Sequence, residues 1–167
     1  MRGICCISLL LMMPFAIDTE KLNEEQKKEL KRFVGVWEYQ SVIREGKVRE
    51  AKWLEDLTME FAENGCFMVK HKNGVVALGR IIVDPSKSPK QLSLSVSTRS
   101  EYDGKLRGVT EVIGIYEIEK TKLRICFNTE ASKKPRPTQF SSKENEETVL
   151  EELKPYEWKS APTSPKK

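Results

Sequence analysis

The chain has 167 residues, enough for one domain with short extensions. Its 38% hydrophobic and 32% charged content describes a folded protein with a well-solvated exterior. A net charge of +4 is the small difference between 29 basic and 25 acidic residues; the two signs are mixed along the chain, which argues against the clustered basic face that nucleic acid binding needs.

Met1-Arg2-Gly3 precedes an apolar run over 4–17 that includes Leu9, Leu10, Leu11, Met12 and Met13. A run of about fourteen residues suits a signal-peptide core and falls short of the roughly 20 that cross a bilayer. Residues 1–17 are therefore expected to be a leader, with no stable membrane span and a secreted or periplasmic destination. Cleavage would follow Ala16, although Pro14 is a poor residue at the third position before the cut. If kept, the same segment would be a buried plug or an anchor. Cys5 and Cys6 lack the small residues of a lipoprotein cleavage box. Without the leader only Cys66 and Cys126 remain, too few for a disulfide framework, and both are expected to be free thiols.

Within 18–34, Asn23 followed by Gln26 predicts a helix N-cap with its capping-box partner. Leu30, Phe33 and Val34 recur at helical spacing and Gly35 ends the helix, whose single apolar edge suits docking across the end of a barrel. From Val36 the period changes to two. Trp37, Tyr39, Ser41 and Ile43 share one face, taken as the inner one, and Glu45-Gly46 closes the strand. Residues 51–56 read as a loop or short helix, with Trp53 and Leu54 packed against an end of the sheet.

Strands follow at 57–62, 66–71 and 75–83. Glu63-Asn64-Gly65 works as a three-residue turn with Gly65 left-handed; it sets Phe61 opposite Phe67, Met59 opposite Val69 and Leu57 opposite His71. Asn73-Gly74 is a two-residue hairpin signal that sets His71 opposite Val76, Val69 opposite Leu78 and Phe67 opposite Arg80. After a link over 84–90, Leu92, Leu94 and Val96 alternate with three serines. Asp103-Gly104 then turns the chain into a strand over 108–119. With Lys120-Thr121 as a two-residue loop, Ile118 faces Leu123, Glu117 faces Arg124, Tyr116 faces Ile125 and Gly114 faces Phe127. This register puts Tyr116, Ile118, Leu123, Ile125 and Phe127 inside, and Glu117, Glu119, Lys122, Arg124 and Cys126 in solvent. Residues 131–147 read as a polar loop anchored by Pro135, Pro137 and Phe140, and 148–153 as a last strand. The tail over 155–167 is expected to be disordered.

Eight antiparallel strands joined mostly by hairpins predict an all-β fold, an up-and-down barrel over 35–154 preceded by a short helix. A two-sheet sandwich is the alternative. Gly35-Val36-Trp37 resembles the Gly-x-Trp that opens lipocalin and other calycin barrels. With Asp84-Pro85-Ser86-Lys87-Ser88-Pro89-Lys90, Gly114-Ile115-Tyr116-Glu117, Leu123-Arg124-Ile125-Cys126-Phe127 and Arg136-Pro137-Thr138-Gln139-Phe140, it makes an ordered set over about 34–154. That set is similar to an uncharacterised lipocalin-like domain family common in planctomycete bacteria. The resemblance implies an often exported barrel without catalytic residues, in which Trp37 mainly plugs the closed end.

Tyr39, Phe61, Val69, His71, Arg80 and Tyr116 are the candidate ligand-binding residues, all assigned inward. An interior imidazole at His71 could orient a ligand, and Arg80 could hold a carboxylate. The plainer readings are a hydrogen-bonded histidine at the rim, and an arginine that pairs with an acid or emerges at the mouth. Cys66 and His71 face opposite ways and form no metal site, and Cys126 lacks a base beside it. Glu146-Glu147 and Glu151-Glu152 read as a solvated turn and strand. The expectation is a non-enzymatic barrel with no cofactor that holds a small apolar or amphipathic molecule. The alternative is a filled-core module that contacts another protein or the cell envelope. A void of several hundred cubic ångströms, within the roughly 300–1,000 Å³ of ligand pockets, would favour the first.

Overall fold

The computed structural model of the chain describes residues 22–72, 74–100, 105–129, 134–144 and 147–157. The expected leader, Asn73, the Asp103-Gly104 turn and the tail from 158 lie outside the described residues. Helix α1 (Glu24–Phe33) opens on the capping box: the Asn23 side chain accepts from the Gln26 N–H at 2.8 Å, and the Gln26 side chain accepts from the Asn23 N–H at 3.1 Å. Leu30 and Phe33 form its buried edge, while Val34 is exposed.

The strands are β1 (Gly35–Arg44), β2 (Lys47–Val48), β3 (Thr58–Phe61), β4 (Cys66–His71), β5 (Gly74–Asp84), β6 (Gln91–Arg99), β7 (Leu106–Ile118), β8 (Leu123–Asn128) and β9 (Thr148–Pro155), with helix α2 (Ala51–Leu54) between β2 and β3. Apart from β2, which extends the rim of β1, each strand pairs antiparallel with two neighbours, and β9 returns to pair with β1. The sheet is thus a closed eight-stranded barrel, in which no long edge is left with unpaired N–H and C=O groups. β9 runs past the expected boundary, and the Tyr156 N–H donates to the Val36 carbonyl at 2.9 Å, so 155–156 belong to the barrel.

Two registers match the pairing read from the sequence. β7 and β8 set Gly114 opposite Phe127, Tyr116 opposite Ile125 and Ile118 opposite Leu123. β3 and β4 set Phe61 opposite Phe67 and Met59 opposite Val69, with Gly65 at φ +77° in the turn.

Irregularities overturn several other assignments. Between β4 and β5, Val69 pairs with Ala77 but Lys70 pairs with Val75, so Val76 is an extra residue and His71 stands opposite Gly74 instead of Val76. Phe67 therefore faces Gly79, and Arg80 turns to the outer face opposite Cys66, with its Nη2 3.8 Å from Sγ. In β1, Tyr39 pairs with Leu153 and Ser41 with Glu152, which makes Gln40 a bulge. Past it the alternation inverts: Val42 joins the main core and Ile43 lies outside with Ile115, Cys126 and Leu150.

Cys126 faces outward as expected but is 0% exposed, because the segment after β8 lies over it as a strap. Phe140 packs on this outer cluster with the Arg124 guanidinium 4.5 Å above its ring, and Cys126 Sγ sits 3.3 Å from the Ser141 carbonyl. Arg136 donates to the carbonyls of Leu92 and Gly114, tying the strap to β6 and β7.

Gly114 is required by close approach: a Cβ there would stand 2.4 Å from the Cys126 carbonyl oxygen and 2.8 Å from Phe127 Cβ. Gly108, on the same strand, has no atom within 4 Å of that position. Urea denaturation should therefore find Gly114→Ala destabilised by about 1–3 kcal/mol and Gly108→Ala changed by less than about 0.5 kcal/mol. Equal effects would refute the close-packed crossing at Gly114.

Candidate functional site

One end of the barrel is sealed by α1, and the half farther from α1 is its mouth half. At the sealed end α1 lies across the strand ends, with the Gln26 amide donating to the Val83 carbonyl at 2.8 Å and Arg32 donating to the Ile118 carbonyl. Phe33 packs edge-on to Phe61 at 5.3 Å between ring centroids, and also meets Tyr116 at 5.2 Å. Trp37 closes the floor, its indole N–H donating to the Phe33 carbonyl at 2.7 Å.

A carboxylate sits inside this seal. Glu29 is 7% exposed and is held by Lys90 Nζ at 2.6 Å and Arg32 Nη1 at 3.0 Å, while Tyr116 Oη donates to it at 3.3 Å. Burial pushes its pKa up, but the donors Lys90 and Arg32 outweigh burial and hold it below the usual carboxylate value. Burial, then the Glu29 charge, pushes the Tyr116 hydroxyl upward. Tyr116 and Phe61 are thus parts of the floor. They are inward, as expected, but not at the mouth.

The mouth half has a different composition. β9 alternates Val149, Glu151 and Leu153 toward the interior, since Val149 and Leu153 belong to the main core while Leu150 belongs to the outer cluster. Glu151 is paired between Val42 on β1 and Ile125 on β8, both buried core residues. The Tyr39 hydroxyl lies beside it, close enough for each group to shift the other's pKa. Burial raises the Glu151 pKa to about 7, against a smaller opposite effect of the Tyr39 hydroxyl. The Tyr39 hydroxyl is itself pushed well up, first by burial and then by the Glu151 charge.

Glu151, Phe127 and Val96 face inward yet are only half-buried, whereas the floor residues are fully buried. An accessible side chain on the inner face of a closed barrel has its accessible surface in the lumen. The interior is therefore less completely covered above the floor, beside Tyr39 and Glu151, than within it.

The wall also changes there. β3 has only four residues, so beyond Thr58 the gap between β1 and β4 is filled by α2 and its flanks. Leu54 and Leu57 turn into the core from this segment, and Asp56 reaches Lys72 at 3.5 Å. Trp53, expected to pack against the sheet, is 56% exposed, with Arg49 5.7 Å above its ring. An open groove of about 510 Å³ lies outside the barrel here, lined by Arg44, Lys47, Val48, Arg49 and Trp53 among others.

The six expected site residues are thus dispersed. Tyr39 and Val69 face the lumen, His71 sits half-buried at the rim, Phe61 and Tyr116 lie in the floor, and Arg80 is on the outer face. Glu151 was read from sequence as solvated and is instead interior. The spacing of Val149, Glu151 and Leu153 carried the signal, but the neighbouring Leu150 obscured it. Among the described residues, no group of three or more His, Cys, Asp or Glu side chains is disposed to hold a metal ion, and no helix is long and apolar enough to cross a membrane. No family model, curated protein or solved structure matches the chain.

A carboxyl whose pKa is higher folded than unfolded stabilises the fold most below its unfolded value of 4.5 and loses that contribution as pH rises to about 7. At about 1.4 kcal/mol per pKa unit the loss is on the order of 3 kcal/mol. Urea denaturation of the parent and Glu151→Gln at pH 5 and 8.5 should show the variant gaining on the parent by that order at the higher pH. Parallel pH profiles would place Glu151 in solvent.

Proposed function

We propose that this chain is an exported, non-enzymatic lipocalin-like barrel that holds a small apolar or amphipathic molecule in the mouth half of its interior. One observation carries the reading: the half-buried inner side chains Val96, Phe127 and Glu151 lie with Tyr39 above a fully packed floor. Ligand sites are mostly apolar with a few polar groups that orient the guest, and the Val42, Val96, Phe127, Tyr39 and Glu151 set has that composition. The α2 segment offers an entry, because among the described residues Leu54 and Leu57 are the core side chains it places in the wall above the short β3. Export rests on the leader-like run over 4–17, and kinship with the planctomycete lipocalin-like domains rests on the ordered motif set with its closed barrel. The non-enzymatic reading draws on Cys126, which lies under the strap on the outer face while His71 is at the rim.

A second reading, contact with another protein or the cell envelope, draws on the outer groove, where Val48 is 66% and Trp53 56% exposed. Titration of the full chain with the fluorescent probe N-phenyl-1-naphthylamine separates the two. Binding in the lumen should give a saturable, blue-shifted signal that Val96→Trp removes and Trp53→Ala leaves intact, with circular dichroism verifying that both variants fold. A folded protein with no saturable signal, and only the bare chain mass in native mass spectrometry, would overturn the lumen reading.

A further inference from the structure

Three acidic side chains that are wholly or partly buried provide an internal comparison. Glu29 in the floor has two cations, Lys90 and Arg32. Glu152, on the outer face of β9, has Lys122 at 3.0 Å and Arg124 at 3.3 Å. Glu151 lies between two buried apolar residues and has no Lys, Arg or His partner among the described residues. Arg44, farther along β1 at the rim, is turned to Glu45 at 3.8 Å. The polar group beside Glu151 is a neutral one, the Tyr39 hydroxyl.

A carboxylate withdrawn from water without a cation is costly, because its lost hydration is not replaced. The fold meets that requirement at Glu29 and Glu152 with side chains of its own. At Glu151 it leaves accessible surface facing the lumen instead. We propose that the missing cation belongs to the ligand: the lumen takes an amphipathic molecule whose head is a protonated amine, seated on the Glu151 carboxylate beside the Tyr39 hydroxyl, with its apolar body against Val42, Val96 and Phe127. The assignment rests on the lumen-binding reading above and specifies its chemistry. It runs opposite to a fatty-acid site, since a second carboxylate at Glu151 would face a like charge with only one donor between them.

Displacement of N-phenyl-1-naphthylamine from the full chain at pH 7.5 by decylamine, decanol and decanoate tests this, because the three share a tail and differ in the head. Decylamine should bind roughly tenfold or more tightly than decanol, with decanoate weakest, as expected for a charge-assisted hydrogen bond. Glu151→Gln should bring decylamine down to the level of decanol. Glu152→Gln, on the outer face, should keep the amine preference. Decanol binding without an amine preference, or a preference that survives Glu151→Gln, overturns this assignment and leaves lumen binding standing. Failure of the probe and all three displacers to bind a folded chain overturns both.

Discussion

The pairing of β9 with β1 is the contact on which the rest of this structure depends. Before it forms, the sheet has two long edges of unpaired backbone and no inside. Once it forms, every strand face becomes either lumen or exterior, and each side chain is assigned by its parity along the strand. The bulge at Gln40 belongs to that closure: it lies within the β1–β9 pairing, which runs from Trp37 to Arg44, and it exchanges Val42 for Ile43 in the core. The extra residue at Val76 acts similarly between β4 and β5, and it moves Arg80 to the exterior.

Closure also separates two kinds of interior. At the floor, α1 supplies Leu30 and Phe33 as a lid and Glu29 as an electrostatic latch to β6 and β7 through Lys90 and Tyr116. The latch is complete, since its carboxylate has cations. The mouth half contains Tyr39 and Glu151 without such compensation, and its apolar residues are less completely covered. Where charge and packing are satisfied the barrel is a wall; the proposed site lies where both are left short.

The β3–β4 and β7–β8 hairpins could be read directly. Leu123, Ile125 and Phe127 alternate opposite Ile118, Tyr116 and Gly114, and any one-residue slip would have put an apolar row in water. The capping box at Asn23 and the left-handed Gly65 were equally local. The site was much less legible. Glu151 lies beside Glu152 in a short strand whose Val149 and Leu150 are both apolar, so alternation alone left two choices of inner face. Only the neighbours on β1 and β8 decide between them. Cys126 was placed on the correct face, but its burial depends on Phe140 and the strap, fourteen or more residues away with no periodicity to announce their contact.

By itself the sequence determined local matters: the capped helix, the approximate place of the main strands, the Gly65 turn, and the registers of the β3–β4 and β7–β8 hairpins. Those follow from hydrogen bonding and side-chain parity between residues close in the chain. The tertiary structure decided what parity could not carry across an irregularity or a long connection: that Val42 and not Ile43 faces the core, that Arg80 lies outside, and that Glu151 is enclosed. A single extra residue inverts every later assignment on its strand. Burial of a charged group, moreover, is a property of what surrounds it in space, which adjacent residues do not specify.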